Sequence, residues 1–131
     1  MTPEEAMRRL SRSRFRSSFH LKEEQRQYIR EKGLDTIERH CRDFVKGRLA
    51  DADPVNDGKQ TPMKGHPVFI AMHACGCCCR GCLEKWYRVP RHVPLTKQQQ
   101  EKIVRFLMLW IVREYKKDLK DQVSESESRR P

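Results

Sequence analysis

Long apolar runs are missing from this sequence. The richest, Ile103 to Val112, is interrupted by Arg105, and a membrane-spanning helix needs about 20 consecutive apolar residues. No membrane span is therefore expected. The N-terminus, Met1-Thr-Pro-Glu-Glu-Ala-Met-Arg-Arg9, has no apolar stretch that could serve as a secretory signal. A cytoplasmic, reducing location follows as the expectation, and with it free thiols rather than a disulfide frame. Apolar residues of every kind are scarce, 37% of 131 residues with aromatics at 8%, against about 45–50% apolar in an ordinary globular chain. A chain of this length supports one domain, and here its core must be small, so a staple would add much to it.

What is plentiful is charge and sulfur. Lys and Arg number 28 against 18 Asp and Glu, a formal net charge of +10 at pH 7. Of the six cysteines, all but Cys41 fall between Cys75 and Cys82. Such crowding suits a shared metal ion or reactive thiols better than evenly spread disulfides.

Along the chain, residues 7–16 carry Arg8, Arg9, Arg12, Arg14 and Arg16 with no acidic residue between them. Residues 1–20 therefore read as a disordered basic arm. Leu21, Tyr28 and Ile29 recur at helical spacing and Gly33 offers a stop, predicting a first helix over 21–32. Asp35-Thr-Ile-Glu38 has the form of a capping box, and Leu34, Ile37, Cys41, Phe44, Val45 and Leu49 line one face of the helix that follows. His40 lies beside Ile37 and Phe44 on that face. From Ala50 to Pro67 the composition predicts a long loop. Val68-Phe-Ile-Ala-Met72 then reads as a short buried strand. Cys82–Tyr87 predicts a short helix, and Thr96 with Gln99 caps a helix over 97–118 whose wide apolar stripe makes it the main core element. Residues 120–131 are too polar to order themselves. The expectation is a mainly α domain with a small β element, spanning 21–119, built around a zinc-knuckle-like Cys/His cluster and a long C-terminal helix.

The chemistry-bearing segment runs Gly65-His66-Pro67, then His73-Ala-Cys75-Gly-Cys77-Cys78-Cys79-Arg80-Gly81-Cys82. Cys79-x-x-Cys82 has the ligand spacing of a zinc knuckle. Cys78 and Cys82, sharing one helical face, are an equally good pair. A helix beginning at the second cysteine favours the thiolate through its positive end. Imidazole complements thiolates on zinc, so His73 with Cys78, Cys79 and Cys82 forms the expected ligand set, and His66, His40, Cys75 or Cys77 is the alternative fourth ligand. The ion expected is a structural zinc. The plain alternative is a set of reduced cysteines packed as small apolar residues.

Three strings, Asn56-Asp-Gly-Lys-Gln-Thr-Pro62, Gly65-His-Pro-Val-Phe-Ile-Ala71 with His73, and Cys78-Cys-Arg-Gly-Cys-Leu-Glu-Lys-Trp86, resemble a family of small bacterial and phage-associated proteins classed as a domain of unknown function. The resemblance runs from about Leu21 to Ile111. It implies that His40, His66, His73, Cys78, Cys79 and Cys82 occupy motif positions, whereas Cys75 and Cys77 stand where the family has small residues without thiols. After the tryptophan the family pattern has histidine, and here stands Tyr87. If that histidine is a ligand in relatives, this chain must recruit Cys75 or Cys77 instead, or bind metal less tightly.

Two functions from different classes fit. The first is a basic, zinc-stabilised binding module contacting nucleic acid, with Arg80, Lys85 and Arg88 beside the knuckle touching phosphates; an acidic protein surface is the other partner expected. The second is a metal- or Cys/His-dependent enzyme in which the polar 56–66 loop grips a substrate and His66 or His73 acts as base or metal ligand. The zinc deaminase His-x-Glu pair is absent.

Overall fold

The computed structural model describes residues 1–128, with side chains described as far as Lys117. Among the described residues, helices follow in order: α1 (Pro3–Ser11), α2 (Arg14–Ser17), α3 (Glu23–Lys32), α4 (Leu34–Leu49), α5 (Pro67–Ala74), α6 (Arg80–Tyr87) and α7 (Lys97–Ser128). Among the described residues there is no strand, and no helix is long and apolar enough to cross a membrane. The expected polar tail, 120–131, falls beyond the described side chains, and its last three residues lie outside the described residues altogether.

The core forms where α4 and α5 pack on α7. Ile37, Cys41, Val45 and Leu49 recur every fourth residue on α4 and are fully buried against Val104, Leu107 and Ile111 of α7. Thr96 caps α7 as its spacing predicts: its Oγ1 accepts from Gln99 N–H at 3.0 Å, and its own N–H donates to Gln99 Oε1 at 2.9 Å. The corner between α3 and α4 is a single residue, Gly33, whose φ of +84° lies in the region that favours glycine. Because Gly33 ends α3 and opens α4 at once, α4 begins at Leu34, and Asp35 falls in its first turn instead of at a capping position.

Two expectations are overturned. Residues 68–72 are helical, within α5, not a strand. Seven of the eight α5 residues are buried, so the run is apolar on all sides and carries no helical period, and periodicity alone cannot separate such a run from a buried strand. Its helix signals are at its start: Pro67 occupies the first turn, and His66 Nδ1 accepts from Val68 N–H at 3.0 Å. The second correction concerns the basic arm. Thr2 and Glu5 form a capping box that starts α1, Ser13 Oγ caps α2, and Ala6, Leu10 and Arg16 are buried against the body. The first twenty residues thus carry their own start signals and a narrow docking face, which the run of arginines obscures.

Candidate metal centre

Cys79 is the N-cap of α6, and its Sγ accepts from the N–H of Cys82 at 3.3 Å. The turn before it folds Cys78 back, and the sulfurs converge: Cys79 and Cys82 Sγ lie 3.1 Å apart, Cys78 and Cys82 Sγ 3.5 Å apart. All three sulfurs lie within 4.8 Å of one another, an arrangement that could hold a metal ion. Tetrahedral zinc thiolate bonds of about 2.3 Å bring sulfurs to a comparable spacing. Both spacings read from sequence, 78 with 82 and 79 with 82, are therefore used together.

The cluster is held from three directions. From the long loop, Thr61 Oγ1 donates to the Cys78 carbonyl at 2.8 Å. Asp57 Oδ1 accepts from Arg80 N–H at 2.9 Å and from Gln60 Nε2 at 3.0 Å, and its Oδ2 meets Arg91 Nη2 at 3.1 Å. Burial works against ionisation of Asp57, yet these donors hold its carboxyl below the usual range. A carboxylate on the first amides of α6 also complements the positive helix end. The Asn56–Pro62 segment is thus the brace of the knuckle, folded through a turn in which Lys59 N–H donates to the Asn56 carbonyl.

From the N-terminal segment comes Arg16, only 9% exposed. Its Nη1 donates to the His73 carbonyl at 2.7 Å and lies 3.5 Å from Cys78 Sγ, while Nη2 donates to Cys82 Sγ at 3.2 Å. Burial opposes its charge, but these partners raise its pKa nonetheless. The Cys78 thiol is lowered to about 7, first by the hydrogen bond with Cys82 and then by Arg16. Cys82, on the other side of that bond, is raised, and burial raises Cys79. One thiol of the three is thus the first to ionise.

From below comes the turn after α5. Gly76 has φ of +68°, and a Cβ there would stand 2.7 Å from Trp86 Cδ1, so only glycine fits under that ring.

The other expected ligands stand elsewhere. The His73 ring stacks on Phe19 with centroids 5.5 Å apart and places Nε2 3.0 Å from the Thr61 carbonyl, so the imidazole is not in the sulfur group. Cys75 and Cys77 are buried in the core, and burial pushes both thiols up, as it pushes Cys41 up to about 12. Cys77 Sγ donates to the Cys75 carbonyl at 3.5 Å. The Tyr87 hydroxyl also donates to that carbonyl. His66 and His40 pair with each other, Nε2 to Nδ1 at 2.9 Å, among Tyr28, Phe44 and Phe69. Because His66 Nδ1 accepts from Val68 N–H, the neutral ring carries its proton on Nε2 and donates it to His40. Burial, with His40 second, lowers His66 to about 4.

Of the three expected phosphate contacts, one is corrected. Arg80 is 1% exposed, and its guanidinium donates to the carbonyls of Leu49, Asp51, Pro90 and Val93 at 3.2, 2.6, 2.7 and 2.6 Å. It ties the ends of α4 and of the 88–95 segment to α6 and has no face for a ligand. Lys85 and Arg88 are exposed. In the sequence Arg16 reads only as part of the basic arm, and Asp57 and Thr61 only as members of the polar 56–66 loop expected to grip a substrate, not as braces of the thiols. Nothing local in that segment shows that it folds onto the thiols, and nothing local distinguishes Arg16 from its neighbouring arginines.

The fold and the site define a small helical protein in which three cysteines converge at the start of one short helix, braced by a loop and an arginine. The chain belongs to the family described as Domain of unknown function (DUF4186), which matches residues 4–112. That span takes in α2 and all of α1 but its first residue, in keeping with their packing on the body. No solved structure matches the chain.

Proposed function

We propose that the protein is a zinc-stapled basic binding module, with Cys78, Cys79 and Cys82 as ligands and nucleic acid as the partner. The convergence of three sulfurs within 4.8 Å carries the metal half of this reading. Zinc is the ion that best suits a thiolate-rich site in a reducing compartment. Its binding free energy is folding free energy, which a chain with 37% apolar residues can use.

The nucleic-acid half is supported by charge and by one contact. Arg9 of α1 donates through Nη1 to the Trp86 carbonyl at 2.9 Å and lies over the Trp86 ring. That contact brings the last turn of α1, with Arg8 and Arg9, to the end of α6, where Lys85 and Arg88 are exposed. Phosphate attraction of this kind is independent of base sequence and weakens steeply with salt.

Metal analysis of the purified full chain tests the first half, and melting with and without chelator shows whether the ion staples the fold. Gel retardation with single- and double-stranded nucleic acid at low and high salt tests the second. Unchanged mobility at low salt removes nucleic acid as the partner.

A further inference from the structure

We infer that a metal ion held by Cys78, Cys79 and Cys82 has only these three protein ligands, and that its fourth coordination position takes a small oxyanion, carboxylate or phosphate, met by Arg16. The inference rests on the metal half of the function proposed above and goes beyond a closed structural site.

Among the described residues, the other donor side chains expected near this ion are committed elsewhere. His73 directs Nε2 to the Thr61 carbonyl and lays its ring on Phe19. Asp57 is taken up by Arg80 N–H, Gln60 and Arg91, and Thr61 Oγ1 by the Cys78 carbonyl. Cys75 and Cys77 lie in the core, and His40 and His66 bond each other. Among the described residues, the side chain from outside the motif that hydrogen-bonds the sulfurs is Arg16, through Nη1 and Nη2. A guanidinium has donors and no lone pair for a metal, so it marks the open side of the centre without closing it.

The donors of Arg16, more than net charge, point to the class of ligand. Three thiolates around a divalent ion leave one net negative charge, which Arg16 balances. A guanidinium fork matches the two oxygens of a carboxylate or the edge of a phosphate. Cys82 is the one partly exposed member of the cluster. Metal sites with three protein ligands and an exchangeable position are those in which substrates meet the ion.

The full chain loaded with cobalt(II), followed by visible absorption and X-ray absorption, tests this. Expected are one cobalt per chain with three sulfurs and one light donor, and saturable shifts of the visible bands on adding inorganic phosphate or acetate. His73→Ala should leave the spectrum unchanged. Arg16→Gln should weaken phosphate binding about tenfold or more while the sulfur count stays at three, and Arg16→Lys should recover part of the loss. Bands indifferent to both anions in the wild-type protein, or a spectrum altered by His73→Ala, overturn the inference and leave the staple standing. Equal phosphate affinity in wild type and Arg16→Gln overturns the part given to Arg16. A chain that takes up no cobalt overturns both the staple and the open position.

Discussion

Arg16 Nη2 donates to Cys82 Sγ across 66 residues of sequence, at 3.2 Å. A residue of the N-terminal segment thereby becomes part of the thiol centre, and the lowered Cys78 thiol lies within reach of the same guanidinium. In metal-free protein, the alkylation rate of Cys78 should rise through about pH 7. Arg16→Gln removes one source of that lowering, so its midpoint should move to higher pH. Peptide mapping after timed iodoacetamide treatment reads both, and coincident profiles would contradict the contact.

Cys82 shares a short sulfur contact with each of the other two cysteines. Cys82→Ala should abolish stoichiometric zinc and lower the melting temperature by about 10 °C, the shift that a loss of roughly 3 kcal/mol produces in a chain of this size. Chelator should lower wild type toward the variant and leave the variant unmoved. Calorimetry with parallel metal analysis checks this, and a Cys82→Ala curve superposing on metal-loaded wild type would count against the staple.

Arg80 and its exposed neighbours should separate cleanly. Arg80→Met leaves four carbonyls without their donor, that of Leu49 in the interior and the others half-buried, a loss of about 3 kcal/mol, visible as a lower urea midpoint. Lys85→Ala with Arg88→Ala should leave that midpoint nearly unchanged and reduce nucleic-acid retention at low salt. A normal midpoint for Arg80→Met would show that its carbonyl contacts contribute little.

His66 supplies a pH dependence with a definite sign. Its folded pKa of about 4 is below the ordinary 6.5, so between those values the unfolded chain binds a proton that the native protein refuses. Stability contributed by the neutral ring is therefore complete above pH 6.5 and declines as pH falls toward 4, by about 1–2 kcal/mol at a half-buried site. His66→Asn keeps an acceptor for Val68 N–H and removes the titration. Urea midpoints measured from pH 7 to 4 should fall more steeply in wild type than in His66→Asn, and parallel slopes would exclude His66 as the source.

The parts of the fold legible in the sequence were those written in short-range pattern. The four-residue rhythm of Ile37, Cys41, Val45 and Leu49, the Thr96 cap and the Gly33 stop all act within one or two turns of backbone. Cys79-x-x-Cys82 and Cys78 with Cys82 are local in the same sense, since three residues of a helix start bring the sulfurs together without help from distant chain. The α5 segment failed that test because burial on every side erases periodicity. The N-terminal helices failed because five arginines outweigh the small docking face of Ala6 and Leu10.

The sequence by itself thus determined a small, basic, largely helical chain with its thiols gathered at one helix start, because spacing and capping act over a few residues. Only the tertiary structure decided what surrounds those thiols. His73 and the sulfurs are neighbours in sequence, yet packing against Phe19 and Thr61 turns the imidazole away, while Arg16, more than sixty residues distant, is brought in. Arg80 looked like a surface cation and became the buried tie of four carbonyls, since which side of a short helix faces the core is set by the elements that close over it.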